Sequence, residues 1–64
     1  MTSELKELRI TYNTSQQELA EIAGVSTRSI LRYENGTQIP SLEVALRISN
    51  YYNMMVEDIF HLEK

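Results

Sequence analysis

Apolar positions recur along the chain in five short helical stripes, each bounded by residues that start or stop helices. Leu5, Leu8 and Ile10 mark the first, following Thr2 or Ser3, either of which can cap it. It ends near Thr11, because Tyr12-Asn13-Thr14 has turn character and Asn13 suits a left-handed conformation. Ser15-Gln16-Gln17-Glu18 is a capping box, behind which Leu19, Ile22 and Ala23 point inward while the small Ala20 lets another helix approach. Gly24 supplies the positive φ that ends this second helix. Val25 plugs the turn, and Ser26 caps a third helix from Thr27 to Glu34 with Ile30 and Tyr33 toward the core. Asn35-Gly36 stops that helix, and Thr37-Gln38-Ile39-Pro40 forms a loop in which Pro40 disfavours helical geometry at Ile39. Ser41 caps a fourth helix, with Leu42, Ala45, Leu46, Ile48 and Ser49 on its inner side and its end near Tyr52 or Asn53. A final short helix holds Ile59 and Phe60. The pattern predicts an all-α fold, a compact five-helix bundle.

The second and third helices, joined at Gly24, form a helix-turn-helix. The third carries Thr27, Arg28, Leu31 and Arg32 on one side, the side that a DNA reader of this layout places in the major groove.

A length of 64 residues predicts one domain over residues 1–64, with a small core and a stability that dimerisation would raise. The absence of cysteine excludes disulfides, thiolate catalysis and cysteine-ligated zinc. No apolar run approaches the roughly 20 residues of a membrane span, and the start, Met-Thr-Ser-Glu-Leu-Lys, is unlike a signal peptide. The expectation is a cytoplasmic protein with no cofactor and no metal. Its formal charge of −3 sits awkwardly with DNA, because phosphate neutralisation usually dominates such binding. The distribution softens this. From Ser26 to Pro40 the only charges are Arg28, Arg32 and Glu34, while the acids sit mainly elsewhere, among them Glu4, Glu7, Glu18, Glu21, Glu57, Asp58 and Glu63. Few side-chain phosphate contacts are expected, and backbone amides at helix N-termini would supply much of the anchoring.

Leu5-Lys6-Glu7-Leu8-Arg9, Ser15-Gln16-Gln17-Glu18-Leu19-Ala20, Gly24-Val25-Ser26, Ile30, Tyr33-Glu34-Asn35-Gly36, Pro40-Ser41-Leu42, Ala45-Leu46-Arg47-Ile48 and Ile59-Phe60 occur in that order. In this the chain resembles the Xre family, the Cro/CI-type helix-turn-helix repressors of phages and bacteria, from Leu5 to Phe60. The resemblance implies a lambda-repressor-like bundle that binds operator DNA, usually as a two-fold dimer on a palindrome. It implies that Gln16 meets the phosphate backbone at the start of the second helix, and that Thr27, Arg28 and Arg32 meet base edges. It also implies that Asn35 and the loop after it, including Thr37, hold a phosphate, and that Arg9 and Glu34 form an ion pair.

Three positions depart from the family pattern. Leu31 stands where the family is usually polar, and is placed either to meet a thymine methyl or to pack on the second helix. Thr14 replaces a common apolar staple, and Met55 replaces a capping residue whose loss costs about 1 kcal/mol, so Met55 is expected to gain contact elsewhere.

Gln17 and Ser29 are further phosphate candidates beside plainer readings as a helix former and a surface serine. Tyr51, Tyr52, Met54 and Met55 form an apolar cluster. Tyr52 and Met54 either simply fill the core, or Tyr51, Met55, Phe60, His61 and Leu62 together make a dimer patch. Catalysis has no foothold: His61, the sole histidine, stands near a chain end expected to fray, and no phosphate loop or metal cluster is present. The reading is a sequence-specific DNA-binding transcriptional regulator, a repressor acting as a homodimer, with a regulatory protein partner as a further possibility. The alternative is a protein-interaction module, adapter or antagonist, derived from the same fold.

Overall fold

Three helices begin at serines whose hydroxyls close the first turn. In this computed structural model, which describes residues 1–62, Ser15 Oγ accepts from the Glu18 amide at 3.0 Å and opens α2 (Gln16–Ala23). Ser26 Oγ accepts from Ser29 at 3.1 Å ahead of α3 (Thr27–Asn35), and Ser41 Oγ from Val44 at 3.2 Å ahead of α4 (Leu42–Tyr52). At α2 the capping box is complete, because Glu18 Oε1 accepts from the Ser15 N–H at 3.1 Å. α1 (Leu5–Thr11) and the short α5 (Val56–Ile59) complete the helical set.

The helix ends are equally local in origin. Gly24 and Gly36 both adopt φ +74°, and Asn13 and Asn53 adopt φ +55°, left-handed positions that an ordinary side chain disfavours. At Gly36 the Thr37 amide reaches back to the Arg32 carbonyl at 3.0 Å, closing the last turn of α3.

Among the described residues the five largest fully buried side chains come one from each helix: Leu5, Leu19, Ile30, Ile48 and Ile59. Ala20, Ala23, Tyr33, Ala45 and Tyr52 fill the space between them. The small Ala20 and Ala23 let α2 lie close to its neighbours.

Several expectations need correction. Ile10 is exposed, because α1 turns Leu5 and Leu8 inward and leaves Ile10 on the opposite side. On α4 the inward series is Ala45, Ile48, Ser49 and Tyr52, at helical spacing. Leu46 lies one residue off that stripe and Leu42 sits on the first turn, so both are exposed. Neither Thr2 nor Ser3 occupies the cap position of α1, which falls to Glu4 with no side-chain cap, although Ser3 Oγ accepts from the Leu5 amide at 3.1 Å.

Thr2 and Ser3 instead form a strand, β1 (Thr2–Ser3), antiparallel to β2 (Phe60–His61), with Thr2 opposite His61 and Ser3 opposite Phe60. Phe60 therefore lies beyond α5 rather than in it, half-buried against the core. His61 is held by the ribbon and by Glu4, whose Oε2 lies 2.6 Å from its Nε2, and the fraying expected of the chain end beyond it falls outside the described residues. Met55 gains no core contact: it is 62% exposed, and Asp58 accepts from its N–H at 3.3 Å. Among the described residues no helix is long and apolar enough to cross a membrane.

Candidate nucleic-acid interface

α3 divides its residues between two sides. Ile30 and Tyr33, three residues apart, are buried against the rest of the protein. Thr27, Arg28, Leu31 and Arg32, spaced i, i+1, i+4 and i+5, remain exposed on the other. Leu31 leaves 45% of its surface in water, so it is not packed beneath α2. Arg28 and Arg32 form no ion pair with any described residue. Two unengaged guanidinium groups and a branched apolar side chain thus share one face of a nine-residue helix.

α3 is anchored at both ends. Ser26 holds the start, and its hydroxyl also meets Ser29 Oγ at 3.2 Å, which leaves Ser29 half-buried. Toward the far end, Glu34 is nearly wholly buried and serves two partners. Arg9 Nε donates to Glu34 Oε2 at 2.7 Å, and Gln16 Nε2 donates to Glu34 Oε1 at 3.2 Å. The Arg9 guanidinium also donates to the Thr14 carbonyl at 3.1 Å. One carboxylate therefore links α1, the start of α2 and the end of α3, and its charge is neutralised before it can oppose an anion.

The phosphate candidates fall in distinct surroundings. Gln16 has one amide N–H committed to Glu34, which fixes the side chain at the mouth of α2. The capping box takes up the Glu18 N–H and leaves the N–H groups of Gln16 and Gln17 outside the intrahelical ladder, where an anion is favoured. Gln17 and Asn35 are exposed. Thr37 is exposed too, but its hydroxyl donates to the Arg32 carbonyl at 3.3 Å, so that proton is already engaged.

Arg47 was not singled out from the sequence. Its guanidinium donates to the Ala23 carbonyl at 3.4 Å, pairs with Glu43 at 2.5 Å, and lies over Gly24, where a Cβ would collide with it. It thereby ties α4 to the end of α2 and steadies the turn. The Glu43–Arg47 spacing of i, i+4 was the available signal.

The five residues read as a dimer patch separate into two places. Tyr51 packs edge-on against Tyr52, with ring centroids 4.9 Å apart, and Tyr52 in turn meets Tyr12 at 5.4 Å. Phe60, His61 and Leu62 line a groove with Ile39, Pro40 and Leu42, which neither Tyr51 nor Met55 enters. Among the described residues no three histidine or acidic side chains gather as a metal site would require.

Residues 5–57 match the helix-turn-helix family. The chain is 39% identical over 64 residues to the uncharacterized HTH-type transcriptional regulator YgzD of Bacillus subtilis (strain 168), covering all of this chain and 97% of that protein. It is 38% identical over 63 residues to the uncharacterized HTH-type transcriptional regulator MJ0272 of Methanocaldococcus jannaschii, covering 98% and 96%. It is 31% identical over 58 residues to the cryptic phage CTXphi transcriptional repressor RstR of Vibrio cholerae, covering 91% of this chain and 52% of that one. The capped α2, the left-handed Gly24 and the half-exposed α3 are the physical form of that likeness, and the chain belongs to the DNA-binding, non-enzymatic helix-turn-helix family of transcriptional regulators, of the Xre, Cro/CI type.

Proposed function

We propose that this protein recognises a specific DNA sequence by placing α3 in the major groove, and that it represses transcription by occupying a palindromic operator as a dimer. The observation that carries the reading is the exposed, unpaired state of Arg28 and Arg32 on a helix whose opposite side is locked in the core. A guanidinium at such a position reads guanine O6 and N7 in a bidentate pair. Leu31, between them, suits a thymine methyl, and Thr27 on the first turn suits a base or a phosphate. Gln16, Gln17 and Asn35, with the N–H groups at the start of α2, serve as the phosphate clamp, and Ser29 has a lesser share. Dimerisation fits the small reading surface: one short helix reads few bases, while a two-fold pair sets two helices about 34 Å apart on successive turns of the duplex. The site of action is the cell's DNA, in the cytoplasmic compartment.

The test is selection of an operator from random oligonucleotides with the purified protein, followed by the variants Arg28→Ala and Arg32→Ala. Each should keep the wild-type melting temperature and lose about 1–3 kcal/mol of specific affinity. Undiminished gel shifts on the selected site would refute the reading. Failure to select any site at low salt would favour the protein-adapter alternative, which the net charge of −3 makes the natural rival.

A further inference from the structure

The corner between α2 and α3 receives a cation from a third helix. α2 has no basic residue in its last turn, where the partial negative charge of its carbonyls gathers. The Ala20 carbonyl accepts from the Gly24 and Val25 amides, at 2.9 and 3.0 Å, and the Ala23 carbonyl accepts from the Arg47 guanidinium of α4 at 3.4 Å. That contact is long, so its weight is the attraction of a cation for a helix C-terminus rather than a tight hydrogen bond. Glu43, one turn back on α4, accepts from the other guanidinium nitrogen at 2.5 Å and aims the fork across the corner. With half of the Arg47 side chain and 72% of the Glu43 side chain in water, the ion pair itself adds little stability.

Gly24 makes room for this arrangement. Its φ of +74° favours glycine, yet Asn13 and Asn53 hold the same left-handed region in this chain, so conformation alone does not demand glycine here. Space does: a Cβ at Gly24 would stand 2.5 Å from Arg47 Nη1. The two ends of α3 also differ in how they are fixed. Glu34 ties the far end to α1 and α2 through Arg9 and Gln16. At the near end the Ser26 cap reaches only Ser29 within α3 itself, and Arg47 brings the polar tie from another helix.

We propose that Arg47 is a positioning residue for DNA reading. It holds the Gly24 corner so that the first turn of α3, with Thr27 and Arg28, meets the duplex at a fixed angle, and it acts through that corner rather than by touching DNA. Recognition tolerates only small errors in such placement. The inference rests on the DNA-reading role proposed above.

The experiment compares Arg47→Ala, Arg47→Lys, Gly24→Asn and the double variant Gly24→Asn, Arg47→Ala in the full chain, with circular dichroism melts confirming the fold. In the free protein, Arg47→Ala should speed hydrogen exchange of the Val25, Ser29 and Ile30 amides about threefold or more relative to the Thr37 amide at the far end of α3. Equal acceleration at both ends, or none, would overturn the proposal. On the selected operator, Arg47→Ala and Gly24→Asn should each lower affinity about tenfold and leave affinity for random duplex and the salt slope unchanged. The double variant should be no weaker than either single one, because both remove the same guanidinium from the corner. Arg47→Lys keeps the charge but not the fork, and should stay close to the alanine variant. Wild-type affinity in Arg47→Ala, or a roughly hundredfold additive loss in the double variant, would overturn the tie through Gly24. Equal losses on operator and random duplex, a slope shallower by about one per copy, or full recovery with lysine would do the same, because Arg47 would then be a phosphate contact. Undiminished operator binding by Arg28→Ala and Arg32→Ala would sink the DNA reading alone, and the exchange comparison, which needs no DNA, would still decide whether Arg47 holds the corner.

Discussion

Tyr52 buries a phenol whose oxygen has no hydrogen-bond partner. Its ring is enclosed by Tyr12 and Tyr51, and the buried Thr14 lies beside it without completing a well-formed bond. A buried polar group left unsatisfied costs about 1–3 kcal/mol, so Tyr52→Phe should raise the melting temperature at neutral pH. Burial also pushes the phenol above its usual range, with the Thr14 side chain opposing. While both folded and unfolded states keep the proton, this shift has no effect on stability. As pH rises through the ordinary phenol value of about 10, the unfolded chain ionises first and stability falls. Urea titrations from neutral pH to above that value should show a loss in the wild type that Tyr52→Phe reduces, and identical profiles would contradict the account. At this scale the sequence was partly legible. The outward set on α3 follows from helical spacing, so Arg28, Leu31 and Arg32 could be named in advance. The commitment of the Thr37 hydroxyl to the Arg32 carbonyl could not, because it depends on how the Gly36 turn folds back.

Between elements, the decisive tie is the Glu34 carboxylate with Arg9 and Gln16. A buried ion pair adds little net stability against an apolar alternative, but removing one partner strands the other. Glu34→Ala leaves Arg9, whose side chain is 15% exposed, without its anion. It should cost about 3–5 kcal/mol, against no more than about 0.5 kcal/mol for the exposed Glu21→Ala. Chemical denaturation of the two variants decides this, and similar midpoints would show the tie to be dispensable. The serine caps and the glycine and asparagine stops were readable because each is a contact within a few residues. The strands β1 and β2 were not: two residues are too few for alternation to appear, and their partners stand at opposite ends of the sequence. Leu42 and Leu46 misled for another reason. Their apolar character suggested burial, but no described residue covers either of them, and Leu42 stands on the open groove.

The molecule as a whole carries a charge of −3 and still presents two free arginines on one helix. Local field at the reading face then has to overcome a repulsive body, and little counterion release is available to help. For a dimer with two such arginines per copy, the logarithm of affinity should fall with the logarithm of salt concentration at a slope no steeper than about −4. A slope near twice that, measured by fluorescence anisotropy on the selected operator, would mean that further cations take part. The antiparallel register of Thr2 with His61 and Ser3 with Phe60 has a consequence of another kind. It sets the two extremities of the bundle side by side, so a polypeptide grafted onto either leaves from one corner. A short bridge between them would close the chain into a ring, and the whole unit could be spliced into a surface loop of a host protein with scarcely a gap in the host's path.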